Sequence, residues 1–141
     1  MSAAYETRVK AVGGRSGRVE SEDGILALDL AMPKELGGKG GATNPEQLFA
    51  AGYAACFENA VIHATRKSDT KIRDDDIVVV GEVGLSPNDS GGFQLSVTLE
   101  VEIAGVDQGT ADDIVARAHQ ICPYSNAVRG NIDVKLKVSV K

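Results

Sequence analysis

The chain is poor in the residues that build covalent or metal-held frameworks, with only two cysteines and two histidines among 141 residues. Two cysteines do not make the disulfide lattice of a small secreted protein, so a bond between them is expected to be transient, catalytic or sensing. Basic residues are also in deficit: 15 Lys and Arg face 20 Asp and Glu, a net charge of −5. No Lys/Arg cluster has the length of a nucleic-acid or membrane patch, and nucleic acid is not an expected partner. No stretch approaches about 18 uninterrupted apolar residues, and Met1-Ser2-Ala3-Ala4-Tyr5-Glu6-Thr7-Arg8 lacks the apolar core of a signal sequence. Neither export nor membrane spanning is expected, and the reading is cytoplasmic. There is no internal repeat and no interdomain linker. The whole length, residues 1–141, reads as a single domain able to bury roughly two-thirds of its unfolded surface.

What is present alternates. Phe93, Leu95, Val97, Leu99, Val101 and Ile103 are separated by polar residues, as are Ile132, Val134, Leu136, Val138 and Val140. That period of two marks half-buried strands. Weaker signals cover residues 5–12, 18–21, 25–30 and 77–85, with turn residues at Asp23-Gly24 and from Pro87 to Gly92. The sum is about six strands in antiparallel groups. A first helix is expected from Asn44 as N-cap, with Pro45 at the first position and Gln47 at the third, to about Lys67. Its middle has no polar face between Leu48 and Phe57, so burial on most sides is expected. A second helix is expected to start at Thr110 and to end before Pro123. The order of elements is that of an α+β fold. Gly37-Gly38-Lys39-Gly40-Gly41 has no Walker pattern and reads as a flexible connection.

The two cysteines differ in setting. Cys56 lies inside the apolar helix, and Cys122 directly precedes a helix-stopping proline. They read either as an attacking and a resolving thiol or as two inert core cysteines, since free cysteine is among the most buried residue types. Together with His63 and His119 they make a Cys2His2 set, but His63 is seven residues beyond Cys56 and about 10.5 Å farther along the axis. One ion cannot be reached by both, and no metal site is expected.

A thiol with an ordinary pKa near 8.5 is only a few per cent ionised at neutral pH. Cys56 is too far from the helix start to feel the dipole, and burial favours the neutral form, so a cation from another element is the remaining route to a thiolate. Gly13-Gly14-Arg15-Ser16-Gly17-Arg18 can supply one, because glycines allow tight bends and a guanidinium stays charged. A solvated hairpin explains the same residues. Glu46, in the first helical turn, is a candidate to aim the arginine, and equally a partner of the helix dipole. Glu46 and Cys56 are ten residues apart, roughly 15 Å along a continuous helix. Either the arginine spans much of that distance, or the helix breaks near Gly52, or the carboxylate comes from a second subunit. The last option also accounts for the all-round apolar helix and leads to a homodimer.

The blocks Gly13-Gly14-Arg15-Ser16-Gly17-Arg18, Glu35-Leu36-Gly37-Gly38, Thr43-Asn44-Pro45-Glu46-Gln47 through Cys56-Phe57, and His119-Gln120-Ile121-Cys122-Pro123-Tyr124-Ser125-Asn126-Ala127 resemble the organic hydroperoxide resistance proteins of the OsmC superfamily. The resemblance runs in order from about Tyr5 to the C-terminus. It implies an OsmC-like fold in an intertwined homodimer, and a cysteine-based peroxidase that reduces organic hydroperoxides in defence against oxidative stress. It further implies Cys56 as peroxidatic cysteine, Cys122 as resolving cysteine, Arg15 as the arginine that stabilises the thiolate, and Glu46 as its carboxylate. No bound cofactor is implied; the implied reductant is an external dithiol of the lipoyl or dihydrolipoamide type, carried on a lipoylated protein. Phe49, Phe57, Met32 and Phe93 are candidates for an apolar pocket. The alternative is a non-catalytic thiol redox sensor or ligand-binding dimer using the same disulfide.

Overall fold

The computed structural model describes residues 2–67 and 71–141. Three strands, β1 (Val9–Val12), β2 (Arg18–Ser21) and β3 (Ala27–Asp29), form one antiparallel sheet in the order β1-β2-β3. Helix α1 (Pro45–Thr65) follows, then β4 (Ile77–Pro87), β5 (Phe93–Ile103), α2 (Gln108–Ile121), the short α3 (Pro123–Val128) and β6 (Val134–Val140). The second sheet has the order β4-β5-β6. The chain separates into two compact units, one ending at Leu48 and one from Phe49 to Lys141.

The second unit holds the hydrophobic core. Val97, Leu99, Val101 and Ile103 of β5 are buried, whereas Glu100 between them is exposed and Thr98 and Glu102 are half-buried, so the alternation in sequence becomes two faces of one sheet. Against the inner face pack Tyr53, Phe57, Val61 and Ala64 of α1 and Ala111, Ile114, Val115 and Ala118 of α2, each at helical spacing. A Cβ built on Gly81 of β4 would stand 3.1 Å from the Ala50 carbonyl oxygen and 3.5 Å from the Ala54 Cβ, which shows how near α1 lies to that strand.

The sequence reading is corrected at several points. The β5–β6 pairing is parallel, not antiparallel, because α2 and α3 carry the chain back across the sheet before β6 begins. α1 ends at Thr65, and in the single chain it buries one face while Ala51 and Ala55 stay exposed. α2 starts earlier than expected: Asp107 is its N-cap, accepting from the Thr110 N–H at 2.7 Å. Pro123, read as a stop, is also the first residue of α3. Segment 37–41 is not a free connection, since the Gly38 and Gly40 N–H groups donate to the Pro33 and Met32 carbonyls at 3.0 Å.

The first unit contrasts with the second. Every residue of β1 is exposed, Val12 and Ile25 are 64% and 87% accessible, and Leu30 is the sole apolar side chain of this unit among the buried described residues. Three short strands with no buried face do not make a self-sufficient core.

Leu99, fully buried at the centre of β5, tests the second unit: Leu99→Ala is expected to cost roughly 2–5 kcal/mol in denaturant unfolding. A loss within the range for surface substitutions, about 0.5 kcal/mol or less, would show that the core lies elsewhere.

Candidate active site

Arg15 sits on the one-turn helix Gly14–Ser16 that joins β1 to β2. Gly13 (φ 86°) and Gly14 (φ 61°) are in the left-handed region, and a Cβ on Gly17 would fall 1.8 Å from the Val12 carbonyl oxygen. The bend that presents Arg15 therefore requires glycine on both sides. Arg15 Nη1 donates to Glu46 Oε2 at 2.9 Å and lies 2.8 Å from Oε1. That second approach is off the donor axis, and buried Oε1 has no hydrogen-bond donor among the described residues. Glu46 is held at the start of α1, where Asn44 Oδ1 accepts from the Gln47 N–H at 2.9 Å, the expected N-cap. The reciprocal half of the capping box is absent: the Gln47 side chain instead accepts from Thr43 Oγ1 at 2.7 Å. The hydrogen bond from Arg15 is the main cause that lowers the Glu46 pKa, and the same bond raises that of Arg15. Arg18 is engaged elsewhere, with Nη1 2.9 Å from Asp29 Oδ1.

In the second unit Cys56 and Cys122 are both free thiols, with their sulfurs 3.7 Å apart across 66 residues of chain. Cys122 is fully buried, and its backbone serves at once as C-cap of α2 and N-cap of α3. Its N–H donates to the Ala118 carbonyl at 2.8 Å and its carbonyl accepts from the Asn126 N–H at 3.0 Å. Cys56 is half-buried on α1. Burial pushes its thiol up first, the Cys122 thiol beside it adds to the rise, and the Tyr124 backbone N–H acts in the opposite direction. Sequence reasoning missed that the turn at Pro123 brings the Tyr124 backbone near Cys56. α1 runs without interruption through Gly52, which removes a helix break from the three arrangements considered. Gly52 has another role: a Cβ there would stand 2.7 Å from the Tyr124 hydroxyl oxygen.

His63 is exposed near the end of α1. His119 Nδ1 lies 2.9 Å from Ser125 Oγ, which in turn is 2.7 Å from the Tyr53 hydroxyl. Among the described residues no group of three or more His, Cys, Asp or Glu is placed to hold a metal ion. Of the four candidate pocket residues, Phe49 and Phe93 line a groove of about 370 Å³ with Leu85, Leu95, Val128 and Ile132. Phe57 is core instead, and Met32 belongs to the first unit. No helix among the described residues is long and apolar enough to cross a membrane.

A fold of this kind, with a paired arginine and carboxylate in one unit and two apposed thiols in the other, has known relatives. The family model of OsmC-like proteins matches residues 38–137, and the chain belongs to the OsmC/Ohr family. It is 46% identical over 139 residues to the organic hydroperoxide resistance protein OhrB of Bacillus subtilis, covering 96% of this chain and 98% of that protein. The organic hydroperoxide resistance protein of Xanthomonas axonopodis pv. citri is 45% identical over 136 residues, covering 96% and 94%. Among solved structures, an organic hydroperoxide resistance protein from Legionella pneumophila superposes with a TM-score of 0.93 at 56% identity, covering 98% of this chain and 99% of that one. The α+β fold inferred from sequence is the fold of these structures.

The Arg15–Glu46 pair sets a pH test. The folded-state pKa of Glu46 lies below its unfolded value, so its contribution to stability is present above the ordinary carboxylate range and is lost as pH falls through the lowered pKa. The stability difference between wild type and Glu46→Gln is therefore expected to shrink on acidification, read from denaturation at a series of pH values. A difference that stays constant with pH would mean that the pair contributes nothing through its charge.

Proposed function

We propose that the protein is a thiol-dependent peroxidase that reduces organic hydroperoxides to alcohols in defence against oxidative stress. The observation that carries this reading is the 3.7 Å contact between two free thiols, one half-exposed and one fully buried. A peroxide can reach the first, while burial shields the second. The names of the relatives supply the substrate class.

In the proposed cycle the Cys56 thiolate attacks the distal oxygen of ROOH. The O–O bond breaks, the oxygen transfers to sulfur, and the peroxide proton leaves with the product ROH, so a sulfenate remains on Cys56. Cys122 gives its proton to the departing oxygen as its sulfur bonds to Cys56, releasing water once a second proton is taken from solvent. An external dithiol of the lipoyl type, carried on a lipoylated protein, then reduces the disulfide by exchange. Arg15, held by Glu46, stabilises the thiolate and the charge growing on the leaving oxygen. Its contribution is needed because the neighbours of Cys56 in its own unit raise the thiol pKa on balance.

A homodimer fits this assignment. The first unit leaves Val9, Val12, Ile25 and Leu36 exposed, and α1 leaves Ala51 and Ala55 uncovered. A second copy covering these surfaces would remove apolar area from water at about 25 cal/mol per Å². The enzyme acts in the cytoplasm in this reading.

Mass spectrometry after one equivalent of an alkyl hydroperoxide tests the chemistry. Wild type is expected to lose two hydrogens and Cys122→Ser to gain one oxygen; an unmodified cysteine pair would end the peroxidase reading. With excess dithiol present, consumption of many equivalents of hydroperoxide separates an enzyme from a sensor that oxidises once. Sedimentation equilibrium of the wild type is expected to return twice the 14.7 kDa chain mass; a monomer at all concentrations would overturn the dimer.

A further inference from the structure

Cys122 is buried at a corner between two helices, and its backbone hydrogen bonds run only along α2 and α3. Those bonds fix the corner's shape but not its distance from α1, where Cys56 sits. The link to α1 is made by side chains. The Tyr53 hydroxyl of α1 lies 2.7 Å from Ser125 Oγ of α3, a bond between residues 72 apart in sequence. Ser125 Oγ also lies 2.9 Å from His119 Nδ1 of α2. One hydroxyl therefore joins three helices.

The spacing of these residues relates them to the thiols. Tyr53 is three residues before Cys56, His119 three before Cys122, and Ser125 three after it. Within a helix, residues three apart share a face, so Tyr53 is next to Cys56 along α1 and His119 next to Cys122 along α2. Tyr53 and Ser125 are fully buried, and water does not substitute for either partner. Burial first, and then Arg129, lowers the His119 pKa, which favours the neutral ring. A neutral ring can donate or accept at Nδ1, and Ser125 can pass the bond on to Tyr53 in either direction, so the chain is satisfied with either tautomer. The Arg129 guanidinium closes the outer side, donating to the His119 backbone carbonyl and to Asn126 Oδ1.

We infer that Tyr53, Ser125 and His119 are positioning residues that hold the Cys122 corner against the Cys56 helix for disulfide closure, an inference that rests on the cysteine roles proposed above. Closure must bring sulfurs now 3.7 Å apart to a bond length of about 2.05 Å. A corner that drifts outward leaves the sulfenate waiting and open to a second peroxide. That second attack transfers another oxygen to the same sulfur, giving a sulfinate and a second ROH. The chain of hydrogen bonds thus acts on the second step of the cycle and leaves the first alone.

Quenched-flow mass spectrometry with cumene hydroperoxide reads the two steps separately. Tyr53→Phe keeps the ring and removes only the oxygen. It is expected to oxidise at the wild-type rate, measured in a Cys122→Ser background, but to close the disulfide about tenfold more slowly, the loss expected from one hydrogen bond. Sulfinate on Cys56 rises with peroxide concentration as a result. His119→Leu is expected to show the same defect, and His119→Asn, whose side-chain amide can occupy the place of Nδ1, to restore closure. Wild-type closure rates in Tyr53→Phe and His119→Leu would overturn the inference while leaving the peroxidase reading intact. An equal slowing of both steps, or no rescue by His119→Asn, would assign these residues to general stability and also overturn it. Failure of the wild type itself to gain oxygen or lose hydrogens would remove the proposed function and this inference with it.

Discussion

The closeness of α1 to the second sheet is the constraint on which residues 49–141 depend. Gly81 leaves no side chain between β4 and the helix backbone at Ala50, and Ala54 adds only a methyl group. Because the helix can come so near, Tyr53, Phe57 and Val61 reach into the core formed with β5 and α2. Tyr53 fixes the rotation of the helix, since its ring must be buried while its hydroxyl must find Ser125. That rotation places Cys56 on the side of α1 that faces the α2–α3 corner. The thiol pair follows from the packing of the helix, not from any local preference of the cysteines.

The second organising element is polar and lies in the first unit. Gly13 and Gly17 permit a bend that a side chain at either position would obstruct, and the bend presents a guanidinium to a carboxylate at a helix start. Glu46 has two stabilising neighbours, the helix N-terminus and Arg15, yet one of its oxygens is buried without a donor. The half-satisfied carboxylate and the coreless sheet around it belong to a unit whose apolar surface is incomplete as a single chain.

Much of this was legible in sequence because it is set by local rules. The alternation in β5 gave its buried face, Asn44 gave the start of α1, and the glycines around Arg15 marked a tight turn. What was not legible depends on pairing and direction. Alternation is the same in parallel and antiparallel strands, so it could not reveal that β6 runs parallel to β5. Pro123 is equally suited to ending one helix and starting another, and reading it only as a stop hid α3 and with it the Tyr124 amide. His119 stands out in sequence only as a member of the Cys2His2 set, yet its hydroxyl partner lies six residues on, three beyond Cys122. The helical spacing of the two on either side of the cysteine was the available signal.

The proximity of the two sulfurs has a further consequence for whatever reduces them. Folding has already placed Cys122 beside Cys56, so its local concentration there is far above that of any small thiol in solution. A reductant with a single thiol that opens the bond leaves a mixed disulfide next to a waiting cysteine, which expels it and restores the starting state. A reductant carrying two thiols completes the exchange by closing on itself, and its own ring competes on equal terms with the protein's. In the cycle proposed above, the spacing of one pair of sulfur atoms therefore favours a reductant that carries two thiols.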